Sequence, residues 1–431
     1  MNTRIALLLA AAALAGCGGT DTTGASGADV VPATATAYAE IDADLGSDQW
    51  QQVQSLLDRF PSRPKLVDVL NDELRDEDLD YDSDVEPALG DVVVVASFGK
   101  RAEDAVVLTQ PDDDAKWRAL AERSAEGDDV VFGEVGGWQA AAESQAALDK
   151  LRAGGAAIGD DDAFTAALDE LPDDRLATVW ARGTLLAGAI PLAGLRQLGS
   201  ADSVKLDWVA AAVDVRDEGA GVTLAARGQS VEPVDAYDSQ RVDEAPADAL
   251  AFVSFTPESY SKQTADLPAP VRELFAELEG ESAVWVRPGL GTIEVTAVLG
   301  AKNAQRAKSA ADRLLRQAPV LPLALHTGVV DGNLVVTTAR SVSAAVRKPD
   351  ESLGDSDDLK AAREASGMPE ETGGFVFVNV ADALPLLSLA GLAGITVPEE
   401  ALEYARPIRS IVAWNDPSDE GGRFELFVHI E

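Results

Sequence analysis

The sequence repeats itself, and this constrains the fold more than any single motif, because a repeated segment is one supersecondary unit used twice. Pro32-Ala33-Thr34-Ala35-Thr36-Ala37-Tyr38 matches Pro246-Ala247-Asp248-Ala249-Leu250-Ala251-Phe252 without a gap. Gly133-Glu134-Val135-Gly136-Gly137 answers Gly328-Val329-Val330-Asp331-Gly332. Gly159-Asp160 with Pro172-Asp173-Asp174 answers Gly354-Asp355 with Pro369-Glu370-Glu371, and Asp217-Glu218-Gly219 answers Asp419-Glu420-Gly421. The order is kept and the spacing drifts only by small insertions. The body therefore reads as two tandem copies of about 200 residues, 30–235 and 236–431.

Local signals agree within each copy. Runs rich in β-branched and aromatic residues, such as Asp91–Phe98, Leu176–Trp180, Thr292–Leu299 and Gly374–Val380, read as strands. Gly136-Gly137 and Asp331-Gly332 lie between apolar runs, where a two-residue hairpin requires positive φ. Apolar residues recurring at three and four predict helices over Gln49–Phe60, Asp112–Ala125, Asp162–Leu171, Ala301–Gln317 and Asp357–Ala365. Each copy closes with a strand, a polar turn and a strand: Leu206–Val215 then Val222–Arg227, and Ile408–Trp414 then Arg423–Ile430. Hairpins mixed with helices give the α+β class, with mainly antiparallel sheets.

The N-terminus supplies an address. Met1-Asn2-Thr3-Arg4 is a short basic region, and Ile5–Ala13 is an apolar run shorter than the about 20 residues of a membrane span, as in an export signal. Leu14-Ala15-Gly16-Cys17 follows and resembles the lipobox of bacterial lipoproteins. That resemblance implies a signal peptide over 1–16, cleavage between Gly16 and Cys17, and acyl chains such as palmitate on Cys17, the sole cysteine. Residues 17–29, rich in Gly, Thr, Ser and Ala, have the composition of a flexible tether. With its one thiol acylated, the mature chain would carry no disulfide, which a domain large enough to bury a core tolerates. No later run is long and apolar enough to predict a transmembrane helix.

Charge narrows the partners. The 431 residues carry 35 Lys+Arg against 74 Asp+Glu, a formal charge of -39, yet 46% of them are hydrophobic. A chain this apolar can bury a core, which excludes a disordered acidic tail. Removing residues 1–16 takes away Arg4 and leaves 34 basic against 74 acidic side chains, a formal -40. Such a field repels phosphate backbones and anionic lipid, so no nucleic-acid partner is expected and the acyl anchor must hold the protein at the membrane, each buried CH₂ contributing about 0.8 kcal/mol.

A strand entered through Pro, a helix, and then Asp84-Val85-Glu86-Pro87-Ala88-Leu89-Gly90-Asp91 before a Val-rich strand resembles the bacterial domain of unknown function numbered 3352. The resemblance covers most of the mature chain and implies the α+β fold and an exported or membrane-attached location. Ala88 stands where the family usually has an aromatic, and the second copy keeps only Glu279-Gly280-Glu281 there. The family implies no catalytic residues.

Chemistry-bearing motifs are sparse. His326 aligns with Val131 and His429 with Arg227, so neither histidine belongs to a feature common to both copies, and each is expected to be a half-exposed strand residue. No His-Glu-x-x-His or Cys/His cluster is present. Ser259-Tyr260-Ser261-Lys262 has the Ser-x-x-Lys spacing of penicillin-recognising enzymes, but Ser62-Arg63-Pro64-Lys65 repeats it and no Lys-Thr-Gly or Ser-Asp-Asn follows. In the acidic stretch Asp76–Glu86, Asp80, Asp82 and Asp84, with Asp91 beyond it, fall at EF-hand positions 1, 3, 5 and 12, although Val85 stands where the sharp turn needs Gly. These carboxylates are either a weak Ca²⁺ candidate or a solvated acidic loop. Asp112-Asp113-Asp114 and Asp160-Asp161-Asp162 precede helices and read as caps. No cofactor is implied.

The remaining candidate is apolar. Leu185–Leu198 and Ala383–Ile395 follow corresponding strands and are nearly uncharged, with Pro191 and Pro385 inside. As helices they either pack as core or line a greasy cleft whose contacts would include Leu185, Leu186, Ile190, Leu384, Leu387 and Leu389. The expected function is a non-enzymatic, membrane-anchored extracytoplasmic lipoprotein that interacts with a cell-envelope partner. The alternative is a carrier of an apolar ligand such as lipid, and a hydrolase comes third because no nucleophile–base motif is found.

Overall fold

The computed structural model describes residues 26–125, 129–183, 205–228, 235–257, 267–289, 293–317, 324–390, 398–418 and 421–431. The chain divides into two compact units, with the final change from unit 1 to unit 2 between Val231 and Glu232.

In unit 1 the strands are β1 (Ala37–Asp42), β2 (Val92–Ser97), β3 (Ala105–Thr109), β4 (Val131–Val135), β5 (Trp138–Ala142), β6 (Ala177–Arg182), β7 (Trp208–Arg216) and β8 (Gly219–Arg227). They form one run in the order β8-β7-β6-β1-β2-β3-β5-β4, every neighbour antiparallel. The helices are α1 (Asp48–Leu57), α2 (Arg63–Asp76), α3 (Glu86–Leu89), α4 (Asp114–Ser124), α5 (Gln145–Arg152) and α6 (Asp162–Leu168). Side-chain oxygens of Ser47, Asp113, Ser144 and Asp161 accept from backbone N–H groups and start α1, α4, α5 and α6.

Because successive strand side chains point to opposite faces, both faces of the unit 1 sheet carry a core. One face packs Val94, Ala96, Val106, Leu108 and Trp180 against Leu148 and Leu151 of α5 and Phe164 of α6. The other packs Val93, Val107 and Ala141 against Trp50 of α1, Leu74 of α2, Leu89 of α3 and Trp117 of α4.

In unit 2 the strands are β9 (Tyr237–Asp238), β10 (Ala251–Phe255), β11 (Ser282–Pro288), β12 (Ile293–Leu299), β13 (His326–Val330), β14 (Asn333–Thr337), β15 (Glu371–Thr372), β16 (Phe375–Asn379), β17 (Ile408–Ser418) and β18 (Gly421–Ile430). Eight of them run β18-β17-β16-β10-β11-β12-β14-β13, again antiparallel, and β9 pairs with β15 separately. This is the strand order of unit 1. The helices are α7 (Ala269–Phe275), α8 (Ala304–Gln317), α9 (Val342–Ala345), α10 (Asp357–Ser366), α11 (Val380–Ala390) and α12 (Glu399–Ala405). Leu359 and Ala362 of α10 pack on Trp285, Phe375, Phe377 and Trp414, while Ala307 and Ala311 of α8 meet Leu278 and Leu334 on the other face.

The α+β class and the antiparallel sheets hold, and the two hairpin turns take the expected form. Gly136 and Gly137 have φ of 58° and 84°, and Asp331 and Gly332 have 48° and 81°, so both central residues of each turn are left-handed. Several element boundaries differ. The first helix stops at Leu57 rather than Phe60, since the residue before Pro61 is disfavoured in helical geometry. Helix α2 goes unpredicted by the sequence reading; its charged sequence weakens the apolar stripe that marks a helix. The acidic stretch is not an open loop, because Tyr81–Val85 forms a helical turn running into α3.

Candidate functional site

The residues singled out by sequence do not converge on one site. Gly16 and Cys17 lie outside the described residues, as do Leu185, Leu186, Ile190 and the Ser259–Lys262 motif. Leu384 lies on α11, which starts at Val380, three residues before the predicted apolar segment; the side chains of Leu387 and Leu389 are outside the described set. Asn379 caps α11 by accepting from the Asp382 amide at 3.0 Å. Ala383, Leu384 and Leu386 are half-buried and Pro385 is exposed, so the start of this helix is not the fully buried apolar rod that its composition suggests.

The carboxylates of the calcium candidate are engaged in local hydrogen bonds. Asp80 Oδ1 accepts from the Ser83 amide at 3.0 Å, and Asp84 Oδ2 accepts from the Asp80 amide at 2.9 Å. The Ser83 bond holds the Asp80 carboxyl below its ordinary value. Asp80 and Asp84 therefore close the helical turn. Among the described residues, no group of three or more His, Cys, Asp or Glu side chains is arranged to hold a metal.

The histidines separate. His326 opens β13 and is exposed, whereas His429 is buried rather than half-exposed. His429 stands opposite Ser410 across the β17–β18 ladder and lies 3.9 Å from a Glu431 carboxylate oxygen. This brings a serine, a histidine and a carboxylate into one neighbourhood, yet Ser410 Oγ is buried without a hydrogen-bond partner. A hydroxyl that touches neither a base nor solvent is not an activated nucleophile. In the second Ser-x-x-Lys match, Ser62 is buried with no hydrogen-bond partner for its Oγ, and Lys65 is exposed.

Sequence reading missed the most chemically loaded feature, a cleft of about 460 Å³ in unit 1. Three chain segments build it: Gln49 and Gln52 of α1, the loop Pro172-Asp173-Asp174, and the end of β7 with its turn through Glu218. Gln49 joins two of them. Its Nε2 donates to the Val215 carbonyl at 3.0 Å and its Oε1 accepts from the Val215 amide at 2.9 Å, continuing the ladder that β6 leaves at Leu176. Asp173, Asp174, Asp217 and Glu218 are exposed at the rim.

At the base lies Asp214. Trp208, Ala210 and Ala212 precede it on the same buried face of β7, so the pleat carries a carboxylate to the end of an apolar stripe, with only 2% of its surface exposed. Arg216 Nε donates to Asp214 Oδ2 at 2.7 Å, whereas Oδ1 is buried without a partner. Directly across the ladder stands Gly221, and a Cβ there would come within 2.5 Å of Oδ1. An in-facing Asp in an otherwise apolar alternation was visible in the sequence; its unpaired state was not. Unit 2 holds a second cleft, of about 310 Å³, but there Arg287, Arg347 and Lys348 line it together with Glu244, Asp248, Asp350 and Glu351, so opposite charges are mixed.

Comparisons with known proteins add little. No family model matches the chain, and no curated protein matches it. One solved structure, crystal form I of TP0453, aligns over 50% of this chain and 89% of its own, at 9% identity and a TM-score of 0.26. A likeness that low supports no inference about fold or function.

Proposed function

We propose that the protein is a lipid-anchored extracytoplasmic lipoprotein of the cell envelope whose body, two copies of one α+β unit, binds a partner and does not catalyse a reaction. The lipobox-like Leu14-Ala15-Gly16-Cys17 and the resemblance to an exported domain family support the location. The unit 1 cleft carries the binding half: four exposed carboxylates ring a buried one, an arrangement suited to recognising charge. An apolar-ligand carrier remains the competing reading, with α11 as its described element.

Metabolic labelling with a palmitate analogue, followed by membrane fractionation, tests the location. Wild-type protein is expected to be labelled and to sediment with membranes, and Cys17→Ala to lose the label and be released by mild washing. Labelling that survives Cys17→Ala would overturn the anchor.

A further inference from the structure

We infer that the unit 1 cleft is a binding site for a guanidinium group supplied from outside the chain, at the position that an arginine of the chain fills in unit 2. The inference deepens the binding reading above and rests on it. Matching the units by strand order and register sets Asp214 against Asp416 and Gly221 against Arg423, because each pair lies directly across the closing hairpin of its unit. In unit 2, Arg423 Nη1 approaches Asp416 Oδ2 at 3.9 Å and Nη2 bonds Glu425. In unit 1 Gly221 contributes no side chain there, the Asp214 carboxylate leans over the glycine with Oδ1 within 2.5 Å of where a Cβ would stand, and Thr223 replaces the second carboxylate.

Unit 1 partly compensates. Arg216, matched by Ser418 in unit 2, occupies Asp214 Oδ2. This leaves Oδ1 unpartnered on a residue that is 2% exposed and lines the cleft. A buried carboxylate oxygen without a donor is costly, so a ligand that draws the Asp214 carboxylate toward the cleft and supplies a donor gains the relief of that cost in addition to its own hydrogen bond. Five carboxylates line the cleft against the guanidinium of Arg216, with Arg59 and Arg175 bonded to the Asp217 and Pro172 carbonyls at its edge, so the lining is net anionic.

Geometry favours an organic cation over a metal ion. No three acidic side chains converge as ligands among the described residues, so a bare ion would find too few. A guanidinium brings its own planar fork of donors and matches carboxylates spread around a rim. Free arginine derivatives and arginine side chains of a partner share this chemistry.

Isothermal titration of the full-length protein in detergent, with arginine amide in one arm and a short arginine-containing peptide in another, tests the inference. Saturable binding of one equivalent is expected in at least one arm. Asp214→Asn should weaken it about tenfold, the usual weight of one charge-assisted hydrogen bond, and the rim double variant Asp173→Asn/Asp174→Asn should weaken it less and flatten its salt dependence. Gly221→Arg, which supplies the missing guanidinium from within the chain, should abolish it. If that variant folds poorly because its Cβ presses on Asp214, the exposed rim variants still decide the matter.

A peptide that binds where arginine amide does not points to a protein partner as the source, and the reverse points to a small molecule; both support the site. Absence of saturable binding in both arms at low salt would overturn the inference, as would binding indifferent to Asp214→Asn and to the rim variants. Calcium binding that Asp214→Asn removes would replace the guanidinium with a metal. A failed titration beside intact Cys17-dependent membrane retention would remove the ligand class and leave the lipid anchor standing.

Discussion

Unit 1 builds its main core around Tyr38, Phe164 and Trp180, whose rings meet edge-on at centroid distances of 5.2 and 5.4 Å. Unit 2 has Phe252 and Phe377 in the ladder positions of Tyr38 and Trp180, and Leu359 three residues after its helix cap, where unit 1 has Phe164. The lost volume reappears elsewhere. Trp285 occupies the position of Ala96, and Trp414 that of Ala212. Interiors pack near the density of organic crystals, so a sheet of given topology demands a total volume and tolerates many ways of distributing it. Two units can therefore keep one strand order while sharing few core residues.

The opposite faces differ more. Unit 1 buries Trp50, Tyr81 and Trp117 there, under α1 to α4, whereas the described cluster in unit 2 is Leu278, Ala307, Ala311 and Leu334. The comparison breaks first at this face. Trp50→Ala should cost about 3–5 kcal/mol, because it leaves a large cavity and orphans the Asp42 carbonyl that accepts from the indole at 2.9 Å. Leu278→Ala should fall near the lower end of the about 2–5 kcal/mol range for such truncations, since a small cluster rich in alanine can collapse around the gap. Equal losses in urea denaturation would erase the distinction between the two faces.

A smaller effect is expected from exchanging volume between the main cores. Ala96 is fully buried, and Ala96→Trp imports the unit 2 residue into a site whose space Trp180 and Phe164 already fill. It should cost about 1–3 kcal/mol as overpacking. A neutral result would mean that unit 1 holds slack packing.

A further difference between the units is the pH dependence that Asp42 gives unit 1. Burial lifts the Asp42 carboxyl to about 6 from an ordinary 3.8, even though Ser47 Oγ and the Asp44 amide donate to it. The position matched by register in unit 2 is Thr256, which does not titrate. The folded state thus holds this proton more tightly than the unfolded state. Its contribution to stability is complete below the unfolded value near 3.8 and is lost as pH rises through about 6. The difference in melting temperature between wild type and Asp42→Asn should shift across that window and stay level above it; a flat difference would remove Asp42 as the source.

Legibility followed the range of the interaction. The strands around Val92–Ser97 and Phe375–Asn379, the caps at Asp113 and Asp161 and the left-handed turn residues Gly136 and Asp331 were readable because each depends on neighbours a few residues away. The helical turn in the acidic stretch was not readable, because Asp80 and Asp84 close it onto their own backbone, an option that ligand spacing does not reveal. His429 was readable only in part. Its strand was evident, but its burial depends on what packs over that face.

The α+β class, the antiparallel pairing and the acidic surface are consequences of residue order alone, since periodicity, turn chemistry and charge are local or additive properties. The placement of β1 between β2 and β6, and the meeting of Gln49 with Val215 at a separation of 166 residues, are not. Those contacts join segments far apart in the chain, which only the tertiary fold brings together. Their consequence is the cleft, where the pleat turns Asp214 inward, the ladder sets Gly221 across from it, and a carboxylate oxygen remains without a donor.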